Sequence, residues 1–155
     1  MNEDFMTEAI RLSIEKMGDG DGGPFGAVVV RNGQIISRGW NRVTSTNDPT
    51  AHAEIVAIRG ACRELNTFWL GDCELYVNCE PCPMCLAAVY WAGIRKIYYG
   101  AVRQDAADVG FGDAYIAGEL DKPVSERNME VEQGMREEAL AAFAIWDKME
   151  DKIEY

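Results

Sequence analysis

The chain contains one histidine, and it stands two residues before a glutamate in the tripeptide His52-Ala53-Glu54. Further along comes Pro81-Cys82-Pro83-Met84-Cys85, a pair of thiols at C-x-x-C spacing. Any fold that uses these groups together must bring two distant turns to one point, and this limits topology more than composition does. Two thiolates and one imidazole supply three ligands of a tetrahedral zinc site, whereas a structural zinc takes four protein ligands. The fourth position is then open to water. Glu54 suits a separate task, that of a carboxylate beside metal-bound water which takes its proton and passes it to a substrate.

Local backbone rules say where these residues must sit. Residues two apart do not share a helix face, so His52 and Glu54 can serve one site only from the first turn of a helix. Cys82 precedes Pro83, which biases it to an extended backbone, and Pro83 suits a first helical position. The pattern therefore predicts Cys82 as an N-cap, with Cys85 three residues on in the first turn. Two helix N-termini would converge on the ion, and their partial positive charge favours deprotonated thiols. Other readings compete. Cys79-Glu80-Pro81-Cys82 extends the run to C-x-x-C-x-x-C, part of an iron–sulfur pattern, but the position four after Cys85 is Val89 where that run requires a cysteine. Cys79 would alternatively complete a closed Cys3His structural zinc site, which leaves Glu54 without a role. A non-catalytic Cys/His metal or iron–sulfur protein is thus the rival class. Cys62 and Cys73 read as core residues.

Helix and strand signals alternate along the chain. Phe5, Ala9 and Leu12 recur at helical spacing over residues 4–17, and the glycine-rich 18–23 stretch ends that helix. Residues 25–30 and 34–40 are rich in β-formers and are separated by Arg31-Asn32-Gly33, a hairpin signal. A helix is expected over about 50–65, a strand over 74–79, a helix over 83–91 and a strand over 95–100. Residues 106–120 read as short helix and loop, and 135–149 as an amphipathic helix on Met135, Ala139, Phe143, Trp146 and Met149. The order implies a layered α/β fold with parallel pairing in its second half. At 155 residues one domain over 1–155 is expected.

Charge and cysteine usage narrow the partners. A net charge of −11 repels phosphate backbones, so a small free substrate is expected rather than a nucleic acid. No apolar run approaches the length of a membrane span, the start Met1-Asn2-Glu3-Asp4 lacks signal-peptide character, and five cysteines do not form a secreted disulfide framework. A cytoplasmic location is the expectation.

Taken with Pro24-Phe25-Gly26-Ala27, Asn41, the 47–58 segment and Cys79 to Cys85, the chain resembles the cytidine-deaminase-like superfamily, and within it the bacterial guanine deaminases. The tract Gly110-Phe111-Gly112-Asp113, the run Glu119-Leu120-Asp121-Lys122-Pro123 and the terminal Glu154-Tyr155 are similar to the latter, with Gly112 replacing an acidic residue. The resemblance implies a three-layer α/β/α sandwich around a mixed five-stranded sheet, with Zn2+ held by His52, Cys82 and Cys85 and protons moved by Glu54. It also implies substrate contacts from Phe25, Asn41, Ala53, Trp91, Asp113 and Tyr155. The activity implied is hydrolytic deamination of guanine to xanthine and ammonia, with guanosine or another nucleobase or nucleoside as the alternative substrate. A homodimer that exchanges a C-terminal segment of about 133–155 is implied as well.

Overall fold

The run Gly26–Arg31 forms strand β1, in which Ala27, Val28, Val29 and Val30 are all at most 1% exposed. A strand buried on both faces belongs in the interior of a sheet. The computed structural model, which describes residues 1–155, places it there. Helix α1 (Glu3–Gly18) precedes β1, and β2 (Gln34–Trp40), the one-turn helix α2 (Val43–Thr46) and α3 (Ala53–Leu65) follow it. Next come β3 (Cys73–Cys79), α4 (Pro83–Trp91), β4 (Lys96–Ala101), α5 (Arg103–Asp108) and α6 (Asp113–Asp121). A 3-10 turn at Val124–Glu126 and helix α7 (Arg136–Asp147) complete the chain. It divides into two units, Met1–Ala117 and Gly118–Tyr155.

The sheet of the first unit has the order β2-β1-β3-β4. β1 is antiparallel to β2 and β3, while β3 and β4 run parallel. The β1–β2 turn is the predicted Asn-Gly hairpin, with φ of 51° at Asn32 and 75° at Gly33, the positive values that a type I′ turn requires. On one face Phe5, Met6 and Leu12 of α1 pack on Val28, Val30 and Tyr76. On the other, Ala57, Ile58 and Ala61 of α3 and Val89 of α4 pack on Ala27, Val29, Leu75 and Val77. Helices therefore cover both faces, and α3 and α4 share one of them.

The sheet has four strands where the family resemblance implied five. The amino-acid pattern explains the shortfall. After β4 the sequence Val102 to Asp108 carries no alternating β-formers, and Asp105 Oδ2 accepts from Val102 N at 2.8 Å to fix a helical turn. β4 is left as the edge, with Lys96 3.3 Å from Glu74 and Tyr98 stacked on Tyr76 at 4.5 Å between centroids.

In the second unit α7 has the expected extent, but its large apolar side chains are exposed: Phe143 is 70% and Ile145 66% accessible. No helix is long and apolar enough to cross a membrane.

Candidate active site

The site begins with a close approach of helix to sheet. A Cβ at Gly39 of β2 would overlap the carbonyl of Ala53 and crowd the amide of Ala57, so only glycine lets the start of α3 lie on the sheet here. His52 is the N-cap of α3, with extended backbone at φ −70° and ψ 156°, and its ring makes no capping bond. Cys82 is the N-cap of α4 at φ −64° and ψ 166°, with Pro83 opening the helix. Neither side chain is spent on its own helix end, so both are free to face the gap between the two N-termini. Cys85 follows in the first turn of α4 and is fully buried.

A ring nitrogen of His52 and the thiol sulfurs of Cys82 and Cys85 all lie within 4.8 Å of one another. Cys82 Sγ stands 3.6 Å from His52 Nδ1. A tetrahedral zinc with bonds of roughly 2.0–2.1 Å to nitrogen and 2.3 Å to sulfur separates those two atoms by about 3.6 Å. The donor set and its spacing therefore fit zinc, with three protein ligands and room for a fourth.

Electrostatics follow from the same contacts. The hydrogen bond from Cys85, aided by His52, brings the Cys82 thiol down to about 4. Cys85, as the donor of that bond and a buried group, is pushed far up. The bond to Cys82 raises His52 in turn. Cation binding requires both sulfurs as thiolates and so displaces the shared proton. Glu54, 5% exposed and two residues past His52, is pushed up to about 7 by burial. That value belongs to the metal-free fold; a cation held by the three donors favours the carboxylate, the form that accepts a proton.

A second group comprises the residues expected to meet the substrate, of which Asp113 interacts electrostatically with His52 and Cys82. Asn41, 6% exposed, accepts at Oδ1 from Gly23 N at 3.1 Å and Val43 N at 3.2 Å. Both partners are donors, which fixes the amide orientation and leaves its NH2 as the end available to a ligand. Phe25 meets Phe111 edge to face, at 4.7 Å and 80°. Asp113 opens α6, and burial raises its carboxyl, with Cys82 acting in the same direction and His52 and Arg103 in the opposite one. Ala53, fully buried with only a methyl side chain, can offer its backbone amide at the first turn of α3.

The two remaining expected contacts are exposed in this chain. Trp91 ends α4 and is 65% exposed, nine residues beyond Cys82 and six beyond Cys85, about 13 Å and 9 Å along the helix axis. Tyr155 ends the second unit and is 80% exposed. Sequence reasoning missed Asn78, whose Oδ1 accepts from Gly26 N and whose Nδ2 donates to Pro24 O, both at 2.9 Å, so that it clamps the Phe25 segment to β3. A polar residue inside the apolar run Leu75-Tyr76-Val77-Asn78-Cys79 was the available signal. The pair Glu80 and Arg103 was also missed.

Metal donors at two converging helix starts, with a buried glutamate between them, define a zinc-dependent deaminase centre. In agreement, residues 1–101 match the cytidine and deoxycytidylate deaminase zinc-binding region, and the chain belongs to that family. Within it, the chain is 49% identical to the guanine deaminase of Bacillus subtilis over 154 residues, 99% of each sequence. A crystal structure of guanine deaminase from that organism superposes with a TM-score of 0.96, covering 100% of this chain and 99% of that one at 49% identity. A tRNA-specific adenosine deaminase of Aquifex aeolicus is 41% identical over 116 residues, 75% of this chain and 74% of that protein.

Proposed function

We propose that the protein deaminates guanine to xanthine and ammonia by hydrolysis. The observation that carries this reading is the buried Glu54 beside three zinc-spaced donors, in a chain similar over its whole length to a guanine deaminase. Zinc held by His52, Cys82 and Cys85 supplies a Lewis acid that brings the pKa of a water molecule toward neutrality. Glu54 takes the proton of the attacking water, gives it to the ring nitrogen beside C2, and then delivers a proton to the departing amino group. Phe25 supplies a ring face for stacking, which any base satisfies. Asn41, with only its NH2 to offer, donates to an acceptor on the purine edge, and Asp113 accepts from ring and amino N–H groups. Polar groups that a wrong base leaves unpaired supply the discrimination. The net charge of −11 disfavours a tRNA substrate despite the similarity to the Aquifex aeolicus protein.

Incubation of the purified protein with guanine, guanosine, adenine, cytosine and a tRNA anticodon stem, with ammonia and product measured for each, tests the proposal. Ammonia with xanthine from guanine is expected; turnover of another substrate with guanine inert would overturn it.

We further infer one functional deaminase domain that works as a homodimer in which residues of about 133–155 are exchanged and Tyr155 covers the partner's purine. The support is the exposed apolar surface of the second unit, where Phe143, Ile145, Met149 and Ile153 are each at least 48% accessible. Such surface calls for a partner. Five free cysteines suit a reducing compartment, and a cytoplasmic location is proposed on that ground.

A further inference from the structure

Cys82 is reached through Glu80 and Pro81, and Asp113 is reached through α5. These two stretches are joined at one point. Glu80 N donates to Ala101 O at 2.8 Å, continuing the parallel pairing in which Cys79 faces Ala101. The Glu80 carboxylate then accepts from two donors of one residue, Arg103 N at 3.0 Å and Arg103 Nη2 at 2.8 Å. Both side chains are about 70% buried, at 28% and 30% accessible. Beyond this pair α5 has little to hold it. It is six residues long and buries only Ala106. Ala106 in turn fixes the next segment, because its carbonyl accepts from Phe111 N at 3.1 Å. Gly110, at φ 95°, makes the turn that allows this bond.

Stability alone does not account for Arg103. Its Nε is buried and has no hydrogen-bond partner. A buried donor left unmade costs desolvation free energy, and a partly satisfied buried polar pair is a poor source of stability compared with an apolar one. The pair does, however, supply geometry. The guanidinium and its own backbone N–H grip both carboxylate oxygens, a two-point contact that fixes orientation as well as distance.

We propose that Arg103, gripped by Glu80, is a positioning residue that sets the Phe111–Asp113 segment against the zinc-ligand turn. Through it the purine-facing wall and the metal donors are held in one register. This rests on the reading that the segment contacts the purine. Arg103 itself acts only through α5.

The test compares Arg103→Met, Arg103→Lys, Glu80→Gln and the Glu80→Gln/Arg103→Met double variant as zinc-loaded enzymes. Zinc per chain, melting temperature, peptide-resolved hydrogen exchange, and kcat and KM on guanine are measured. The expected result is one zinc per chain and a melting temperature close to the parent's. Amides of 103–113 should exchange faster while those of 82–91 keep their protection. KM should rise roughly 10- to 100-fold, the scale for losing a supporting contact, with a smaller change in kcat. The double variant should be no worse than the worse single one. Arg103→Lys should fall between, since an ammonium keeps the charge but not the fork. Loss of zinc, faster exchange over 82–91, or failure of the variants to fold would assign the pair to the ligand turn or to the fold and overturn the proposal. Unchanged exchange over 103–113 would overturn it too. Exchange and zinc content read the same whatever the substrate, so an inert parent on guanine would count against the substrate reading alone.

Discussion

Cys82 Sγ lies 3.6 Å from His52 Nδ1, although the two residues are 30 positions apart in the chain. Each is the N-cap of a different helix, and each has extended backbone that turns its side chain away from its own helix. Cys79, by contrast, ends β3 with its sulfur 3.8 Å from Val102 O and is absent from the donor cluster. Replacing His52, Cys82 or Cys85 should therefore lose zinc and activity together, while Cys79→Ser should retain one zinc per chain by metal analysis. Equal loss from Cys79→Ser would replace the open site with a closed four-ligand one.

Glu54→Gln keeps the volume of the side chain and removes its base. Zinc should stay bound while kcat falls by roughly 10²–10⁴-fold, the usual scale for a positioned acid or base. The same substitution has a second consequence in metal-free protein. Unfolded, Glu54 ionises near the ordinary glutamate value of 4.5; in the fold burial holds it protonated to about 7. The folded state thus binds the extra proton between these values, and stability falls as pH rises through that window, by about 3 kcal/mol in total. After chelation, Glu54→Gln should match the parent near pH 4 and exceed it at pH 8 in denaturant unfolding. A parent as stable as the variant at pH 8 would show that the carboxyl is not desolvated.

How far the sequence disclosed this site depends on the range of the interactions involved. The N-cap roles follow from single-residue preferences, an extended residue before proline and a proline at a helix start, so Cys82 and Pro83 could be placed without tertiary information. Asn32-Gly33 carried its turn in the same way. Asn78 and the Glu80–Arg103 pair could not be read, because each bond joins elements whose meeting depends on strand register. Trp91 rests on resemblance alone: it ends a helix of nine residues whose first turn carries the ligands, and no local rule assigns it a contact. The fifth strand failed for a related reason, since the four strands visible in the residue pattern are those that formed.

Asn41 and Asp113 should separate recognition from folding. Asn41→Asp keeps an oxygen for Gly23 N and Val43 N but replaces the free NH2 with a second acceptor. The loop should hold, with little change in melting temperature, while KM for guanine rises roughly 10- to 100-fold, as expected for a lost donor facing an acceptor. Asp113→Asn should likewise lower guanine turnover far more than zinc content. Normal kinetics in both variants would move the specificity groups elsewhere.

The proposed exchange of the C-terminal segment makes the active site of one chain depend on its partner. Exchange between protomers costs little when the exchanged contacts equal those of an unexchanged chain, and the exposed Phe143, Ile145 and Met149 provide surface for it. Deleting Glu154 and Tyr155 should leave zinc and the oligomeric state unchanged while turnover falls, because water is less well excluded from the reacting carbon. Mixing then identifies the source of the lid. A truncated chain retains Glu54, and a full-length Glu54→Gln chain retains Tyr155. In a heterodimer with lids in trans, the intact tyrosine covers the intact glutamate, so partial activity should return. A lid in cis leaves every protomer lacking one of the two groups. Heterodimers that form without recovering activity, or a fully active truncated enzyme, would place α7 and Tyr155 outside the partner's active site.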